Sequence, residues 1–232
     1  MKKRDTEPTP PKMTTSMRVS IVLYALLGAL LVSMLIFNVI SPGPASTGFT
    51  AEEGQLPGTR ANSHVLDKVG DNVPTLVEFL DFECEACGSA YPAVEALREA
   101  YRGRINYVIR YFPIESHKNA MNAALAVEAA AQQGKVEGMY KLMYETQADW
   151  SEQQESKADL FRTYAEGLGL DMAKYDADVA NPATMARIEF DVSEGRAAGV
   201  TGTPTFFLDG KKLKIERSSD LTEAVEQALG EQ

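Results

Sequence analysis

The chain has 232 residues, enough for one domain of ordinary size and an appendage. Its 23 Lys and Arg stand against 33 Asp and Glu, a net charge of −10, which argues against nucleic acid as a partner, because that role needs a basic footprint. The charge is uneven: residues 1–40 hold five basic and two acidic side chains, and the remainder holds 18 basic and 31 acidic ones.

Residues 1–18 are charged and carry Pro8, Pro10 and Pro11, the composition of a disordered tail. Residues 19–40 form an apolar run of 22. As a helix it would extend about 33 Å, enough to cross a bilayer core. Lys2, Lys3, Arg4, Lys12 and Arg18 precede it, and no Lys or Arg follows before Arg60. The positive-inside rule then leaves the N-terminus in the cytoplasm and exports the rest. A cleavable signal peptide is the competing reading, with Gly43-Pro44-Ala45 as the small-residue site. The run exceeds the ~7–15 residues of a signal core, and Pro44 would sit just before the cut. The expectation is an uncleaved, single-pass membrane anchor with an extracytoplasmic domain. Residues 41–63, rich in Ser, Gly, Pro and Thr, read as a flexible linker, and residues 64–232 as the folded domain.

Within the domain, residues 75–82 predict a strand and 84–101 a helix. A second strand follows at 105–112, nearly all β-branched or aromatic. Four helical faces come next, at period 3.6. Ala120, Ala123, Ala124, Val127 and Ala131 mark the first. Val136, Met139, Tyr140, Met143 and Tyr144 mark the second. Leu160, Phe161, Tyr164, Ala165 and Leu168 mark the third. Met185, Ile188 and Val192 mark a fourth over 183–198. Residues 204–208 predict a strand, Asp209-Gly210 a hairpin turn and 213–215 its return strand. A last helix over 220–229 opens with Asp220 and Glu223 at capping-box spacing.

Cys84 and Cys87, in Phe82-Glu83-Cys84-Glu85-Ala86-Cys87, are the only cysteines. A C-x-x-C at a strand end, opening a helix, has the geometry of a dithiol that makes and breaks disulfides. The helix N-terminus favours a thiolate at Cys84, and the thiolate is the nucleophile of disulfide exchange. The alternative is one structural disulfide in an exported domain, yet so short a loop restricts the unfolded chain little. A zinc site from Cys84, Cys87, His64 and His117 is conceivable, but the separation of Cys87 and His117 matches no common finger spacing. His117 reads instead as a helix-start residue and His64 as lying at the domain entry. No metal and no cofactor are expected.

Taken together, these features resemble a thioredoxin fold, and within it the DsbA-like thiol–disulfide oxidoreductases. The carriers are Cys84-x-x-Cys87 after a strand, Val200-Thr201-Gly202-Thr203-Pro204-Thr205 before the hairpin, and the long helical block between the second strand and Pro204. Arg110-Tyr111-Phe112-Pro113 with Ser116-His117, and Pro92 inside the first helix, complete the set. The resemblance covers about residues 65–230. It implies an α/β thioredoxin fold with an inserted helical domain at about 114–199, here preceded by the transmembrane helix.

The resemblance implies roles as well. Cys84 is the exposed attacking and leaving sulfur, and Cys87, one turn in and more buried, resolves the mixed disulfide. Pro204 is the cis-proline facing the dithiol, with the Thr203 backbone binding an extended substrate segment. An ordinary trans proline opening an edge strand is the alternative. Glu78 maps onto an acidic residue beneath the dithiol, its pKa raised by burial, able to take the Cys87 proton. The alternative is a carboxylate at a strand edge or paired with Lys or Arg. Strong oxidases of this family often carry proline and histidine between the cysteines, whereas this chain has Glu85-Ala86. With Glu83 on the other side, like-charge repulsion predicts a less depressed Cys84 pKa and a milder oxidant. The implied function is disulfide formation in exported, cysteine-containing proteins, with a quinone-linked membrane partner as reoxidant. Two alternatives remain: an envelope reductase or isomerase on the same fold, and a non-enzymatic tethered peptide-binding module. A monomer is expected, since no dimerisation domain is visible.

Overall fold

A computed structural model describes residues 59–230. The tail, the membrane span and most of the linker expected at residues 1–58 lie outside the described residues. Among the described residues no helix is long and apolar enough to cross a membrane.

Five strands form one sheet in the order β1-β3-β2-β4-β5. β2 (Thr75–Leu80) lies at its centre, with all six residues buried. It runs parallel to β3 (Asn106–Tyr111) and antiparallel to β4 (Thr205–Leu208). Helix α1 (Glu85–Ala100) makes the crossover between the two parallel strands, with Pro92 inside it. β1 (His64–Asp67), which the apolar pattern did not announce, pairs antiparallel with β3 at the sheet edge. It offers one β-branched residue in four, and that residue, Val65, is 43% exposed.

Alternation along β2 and β3 divides the core in two. Leu76 and Leu80, with Tyr107, Ile109 and Tyr111, face the larger cluster, which continues into the helical block. Val77, Phe79, Val108 and Phe112 face a smaller one. Glu78 shares the parity of Leu76 and Leu80, so its carboxyl enters the larger core. Arg110 shares the parity of Val108 and enters the smaller one.

The helical block consists of α2 (Ala120–Ala131), α3 (Val136–Glu145), α4 (Gln147–Trp150), α5 (Ala158–Gly167), α6 (Met172–Val179) and α7 (Pro182–Ala197). α2 is alanine-rich and buried at nine positions. Its small side chains let α3, α5, α6 and α7 all pack against it. The last described helix, α8 (Ser218–Ala228), packs on α1.

The structure corrects several expectations. The first strand stops at Leu80 rather than residue 82, because the Asp81 carboxylate accepts the Glu83 N–H at 2.9 Å and turns the chain. The return strand is β5 (Lys211–Lys212) rather than 213–215. Asp209 and Gly210 both have positive φ, a two-residue turn that sets Lys211 opposite Leu208. Leu213 adds one further bond to the Phe206 carbonyl. In α8 the capping residue is Arg217, and Asp220 serves three positions later, accepting from the Glu216 and Arg217 N–H groups. In α7 the expected apolar face is only partly the buried one: Ile188 is buried and Val192 packs against the smaller core, but Met185 is 39% exposed, and the polar Thr184, Arg187 and Asp191 are buried instead. That face meets Arg110 and the Tyr111 N–H of β3, so it is polar by requirement.

Candidate active site

Cys84 is the N-cap of α1, with extended backbone angles and no side-chain cap. Its sulfur therefore faces free N–H groups at the helix start. Cys84 is 8% exposed and Cys87 1%. Cys84 thus sits deeper than an exposed nucleophile was expected to, though it remains the more accessible of the two. Both are free thiols. The Thr203–Pro204 peptide bond is cis, and the Cys84 thiol donates to the Thr203 carbonyl at 3.4 Å. Thr203 and Pro204 are half-buried, leaving part of this segment open to an incoming chain.

The two thiols are strongly unlike. The hydrogen bond from Cys87 is the largest influence on Cys84. Burial opposes it, but bonds from the Cys87 and Ala86 N–H groups add to it, and the Cys84 pKa falls to about 5. Burial, the bond to Cys84 and the Glu78 charge push Cys87 well above the ordinary thiol range. Glu83, a carboxylate expected to oppose the thiolate, is only 3% exposed. It accepts the Asn119 N–H at 2.5 Å and the Glu152 N–H at 3.1 Å, so its charge is committed to backbone donors.

Glu78 is 2% exposed and accepts a short hydrogen bond from the Tyr107 hydroxyl. Burial raises its pKa to about 7. The Tyr140 hydroxyl lies 3.5 Å from that of Tyr107. The Arg98 guanidinium sits over the Tyr107 ring at 4.9 Å and is itself held by Asp67 and Glu95, each at 2.6 Å. Among the described residues, Glu78 therefore has a hydroxyl partner and no cation in direct contact.

Three supporting residues escaped the sequence analysis. The Gln147 amide, from α4, donates to the Phe82 carbonyl at 2.7 Å and the Cys84 carbonyl at 3.0 Å, clamping the dithiol turn. Gly88 makes room for it, since a Cβ there would fall 1.9 Å from Gln147 Oε1. Asp81, below the turn, accepts the Ile114 N–H at 3.0 Å and meets His117 Nδ1 at 2.6 Å. His117 precedes α2, whose N-cap is Asn119, so it is not the helix-start residue the sequence suggested. His64 lies 2.5 Å from Glu128 and away from the cysteines. Among the described residues no three His, Cys, Asp or Glu side chains are grouped to hold a metal. Beside the dithiol a cavity of about 410 Å³ is lined by Cys84, Glu85, Ala86, His117, Lys118 and Glu152, among others.

A family model described as thioredoxin matches residues 71–227. A thioredoxin-like oxidoreductase from Silicibacter pomeroyi is 29% identical, with a TM-score of 0.61, the match covering 75% of this chain and 95% of that one. BdbD from Bacillus subtilis shares the fold at 17% identity and a TM-score of 0.62, covering 72% of this chain and 93% of its own. MdbA, a thiol-disulfide oxidoreductase from Corynebacterium diphtheriae, shares it at 20% identity and a TM-score of 0.58, covering 72% and 89%. A curated relative, Na(+)/H(+) antiporter NhaA 3 from Salinispora tropica, is 36% identical over 200 residues, which are 82% of this chain. The chain spans 29% of that protein's length, and the antiport is named for the whole of it.

Proposed function

The chain belongs to the thioredoxin family of oxidoreductases, and we propose that it forms disulfides in exported proteins through Cys84 and Cys87. The split between the two thiols carries this reading. A thiolate held to a pKa of about 5 beside a protonated, buried partner is arranged for one sulfur to attack and the other to resolve.

In the oxidising direction a substrate thiolate attacks Cys84 of the Cys84–Cys87 disulfide. The new bond joins substrate sulfur to Cys84, and Cys87 leaves, taking a proton that Glu78 can supply. A second substrate thiolate attacks the first substrate sulfur, and Cys84 leaves as a stabilised thiolate. Two electrons pass from the substrate dithiol to the enzyme. In the reverse direction Glu78 accepts the Cys87 proton and Cys87 attacks Cys84. The Thr203 backbone, beside Cys84, is the proposed docking strand for an extended substrate segment.

A stabilised Cys84 thiolate favours the reduced enzyme, so the protein should accept electrons readily. Its pKa lies between the ~7 of a thioredoxin dithiol and the ~3.5 of the strongest oxidases, which supports an oxidant of intermediate strength. The proposed setting is a single-pass anchor at residues 19–40, a cytoplasmic N-terminus, an extracytoplasmic domain and a quinone-linked membrane reoxidant.

The deciding experiment equilibrates the full-length chain in glutathione buffers. A potential at or above about −180 mV supports the oxidase, and one near −270 mV reverses the direction to reductase. Cys84→Ser should abolish exchange, and Cys87→Ser should accumulate mixed disulfides. A Cys87→Ser chain that exchanges like wild type would overturn the assignment of roles.

A further inference from the structure

One chemical need is not met by the residues between the cysteines. Glu85-Ala86 supplies no cation to the Cys84 thiolate and no acid to a departing sulfur. The fold brings a candidate from elsewhere in the chain. His117 lies in the turn between β3 and α2, where its N–H bonds the Ile114 carbonyl at 3.0 Å. Its side chain is 30% exposed and lines the same cavity as Cys84.

The ring is held from behind. Asp81, with no exposed side-chain surface, meets Nδ1 at 2.6 Å. The same carboxylate accepts the Glu83 N–H at 2.9 Å and the Ile114 N–H at 3.0 Å. One buried carboxylate thus joins the turn before Cys84 to the turn carrying His117, and fixes the imidazole relative to the sulfur. With Nδ1 committed, Nε2 remains as the second donor of the ring. Burial opposes the charged ring, but the Asp81 bond and the charges of Asp81, Cys84 and Glu83 outweigh it and hold its pKa above the ordinary value. The other charged groups of the cavity wall are Glu85 on α1, Lys118 beside the histidine and Glu152 after α4.

We propose that His117, positioned by Asp81, is the acid–base group of the exchange site: its imidazolium stabilises the Cys84 thiolate and protonates the sulfur that leaves the substrate. In the reducing direction the Cys84 thiolate attacks a substrate disulfide. A Cys84–substrate bond forms, the substrate S–S bond breaks, and the departing thiolate takes the His117 proton. The imidazole is then reprotonated from solvent. In the oxidising direction neutral His117 takes the proton of an incoming substrate thiol before it attacks. This assignment deepens the proposed function and rests on it.

The test compares the reduced full-length chain with His117→Gln, which keeps a donor for Asp81, and His117→Lys, which restores a cation. Thiolate absorbance against pH gives the Cys84 pKa, and the rate with a disulfide-containing peptide gives the pH profile of exchange. His117→Gln should raise the Cys84 pKa by about one unit and flatten the profile near neutral pH. His117→Lys should restore the thiolate pKa and leave the profile flat. An unchanged Cys84 pKa and profile in His117→Gln, with wild type exchanging normally, overturns the role of His117 alone. A wild-type chain that fails to exchange overturns the oxidoreductase reading and this one with it.

Discussion

Glu78 and Asp191 are carboxyls buried equally deeply, at 2% and 0% exposure, yet the fold treats them in opposite ways. Asp191 meets Arg110 Nε at 2.5 Å, Arg187 Nη1 at 2.6 Å and the Tyr111 N–H at 3.1 Å. Both guanidiniums are buried with it, and Arg110 also lies over the Phe79 ring at 5.3 Å. Glu78 has the Tyr107 hydroxyl and no such cation, and its pKa rises to about 7. A buried carboxyl saturated with cations and N–H groups is a structural tie. One left short of positive charge can gain and lose a proton near neutral pH, and it lies on the dithiol side of the sheet.

The sharpest way to break this contrast is Asp191→Ala. It removes the shared carboxylate from two buried guanidiniums, leaving Arg110 with Glu194 and Arg187 with the Asn62 carbonyl, and unfolding should become easier by about 3 kcal/mol, read from urea midpoints, while surviving folded protein keeps the Cys84 pKa of wild type. Loss of the thiolate shift instead would join the two faces functionally and end the contrast.

Glu78→Gln should act in the opposite sense. The folded pKa of about 7 lies above the ordinary carboxyl value of 4.5, so the folded state binds more protons in between. Wild-type stability should therefore fall as pH rises from about 4.5 to about 7 and level off above. The variant lacks this loss and should be more stable at pH 8 by on the order of 3 kcal/mol, and equal at pH 4. Release of mixed disulfides should be slower in the variant. Release at the wild-type rate would remove Glu78 from the mechanism.

A smaller effect is expected from Tyr107→Phe, which removes the one hydrogen bond that lowers the Glu78 pKa. Stability should fall by about 1–3 kcal/mol, and the pH at which stability levels off should move above 7. A shift the other way would mean the hydroxyl acts on Glu78 through something other than its hydrogen bond. Gly195→Ala probes the opposite face. Its new Cβ would lie 2.9 Å from the Phe79 ring, and about 1–3 kcal/mol of overpacking cost is expected with no change in thiol chemistry.

Much of the fold was legible because its elements are strongly patterned. β2 is an apolar run buried on both sides, α3 and α5 carry clean apolar stripes, and Asp209-Gly210 is a two-residue turn by chemistry. β1 and β5 were not legible. Each is short and lies at a sheet edge, where pairing with a neighbour replaces burial as the reason to be extended. α7 misled for another reason. Periodicity assumes the buried face is apolar, and here it carries Arg187 and Asp191 because β3 presents Arg110 to it.

The site divides along the same line. Cys84, Cys87 and the Thr203-Pro204 pair stand in short motifs whose chemistry is local, a helix start and a proline. By themselves these residues marked the dithiol and its nucleophile, while apolar periodicity marked the element order. The depth of Cys87 burial, the clamp from Gln147, the Tyr107 partner of Glu78 and the Asp81–His117 pair depend on segments far apart in the chain. Such contacts leave no mark in composition or spacing, because burial and the facing of one donor to one acceptor are set by packing. Asp81 and His117 are 36 residues apart in sequence and 2.6 Å apart in space.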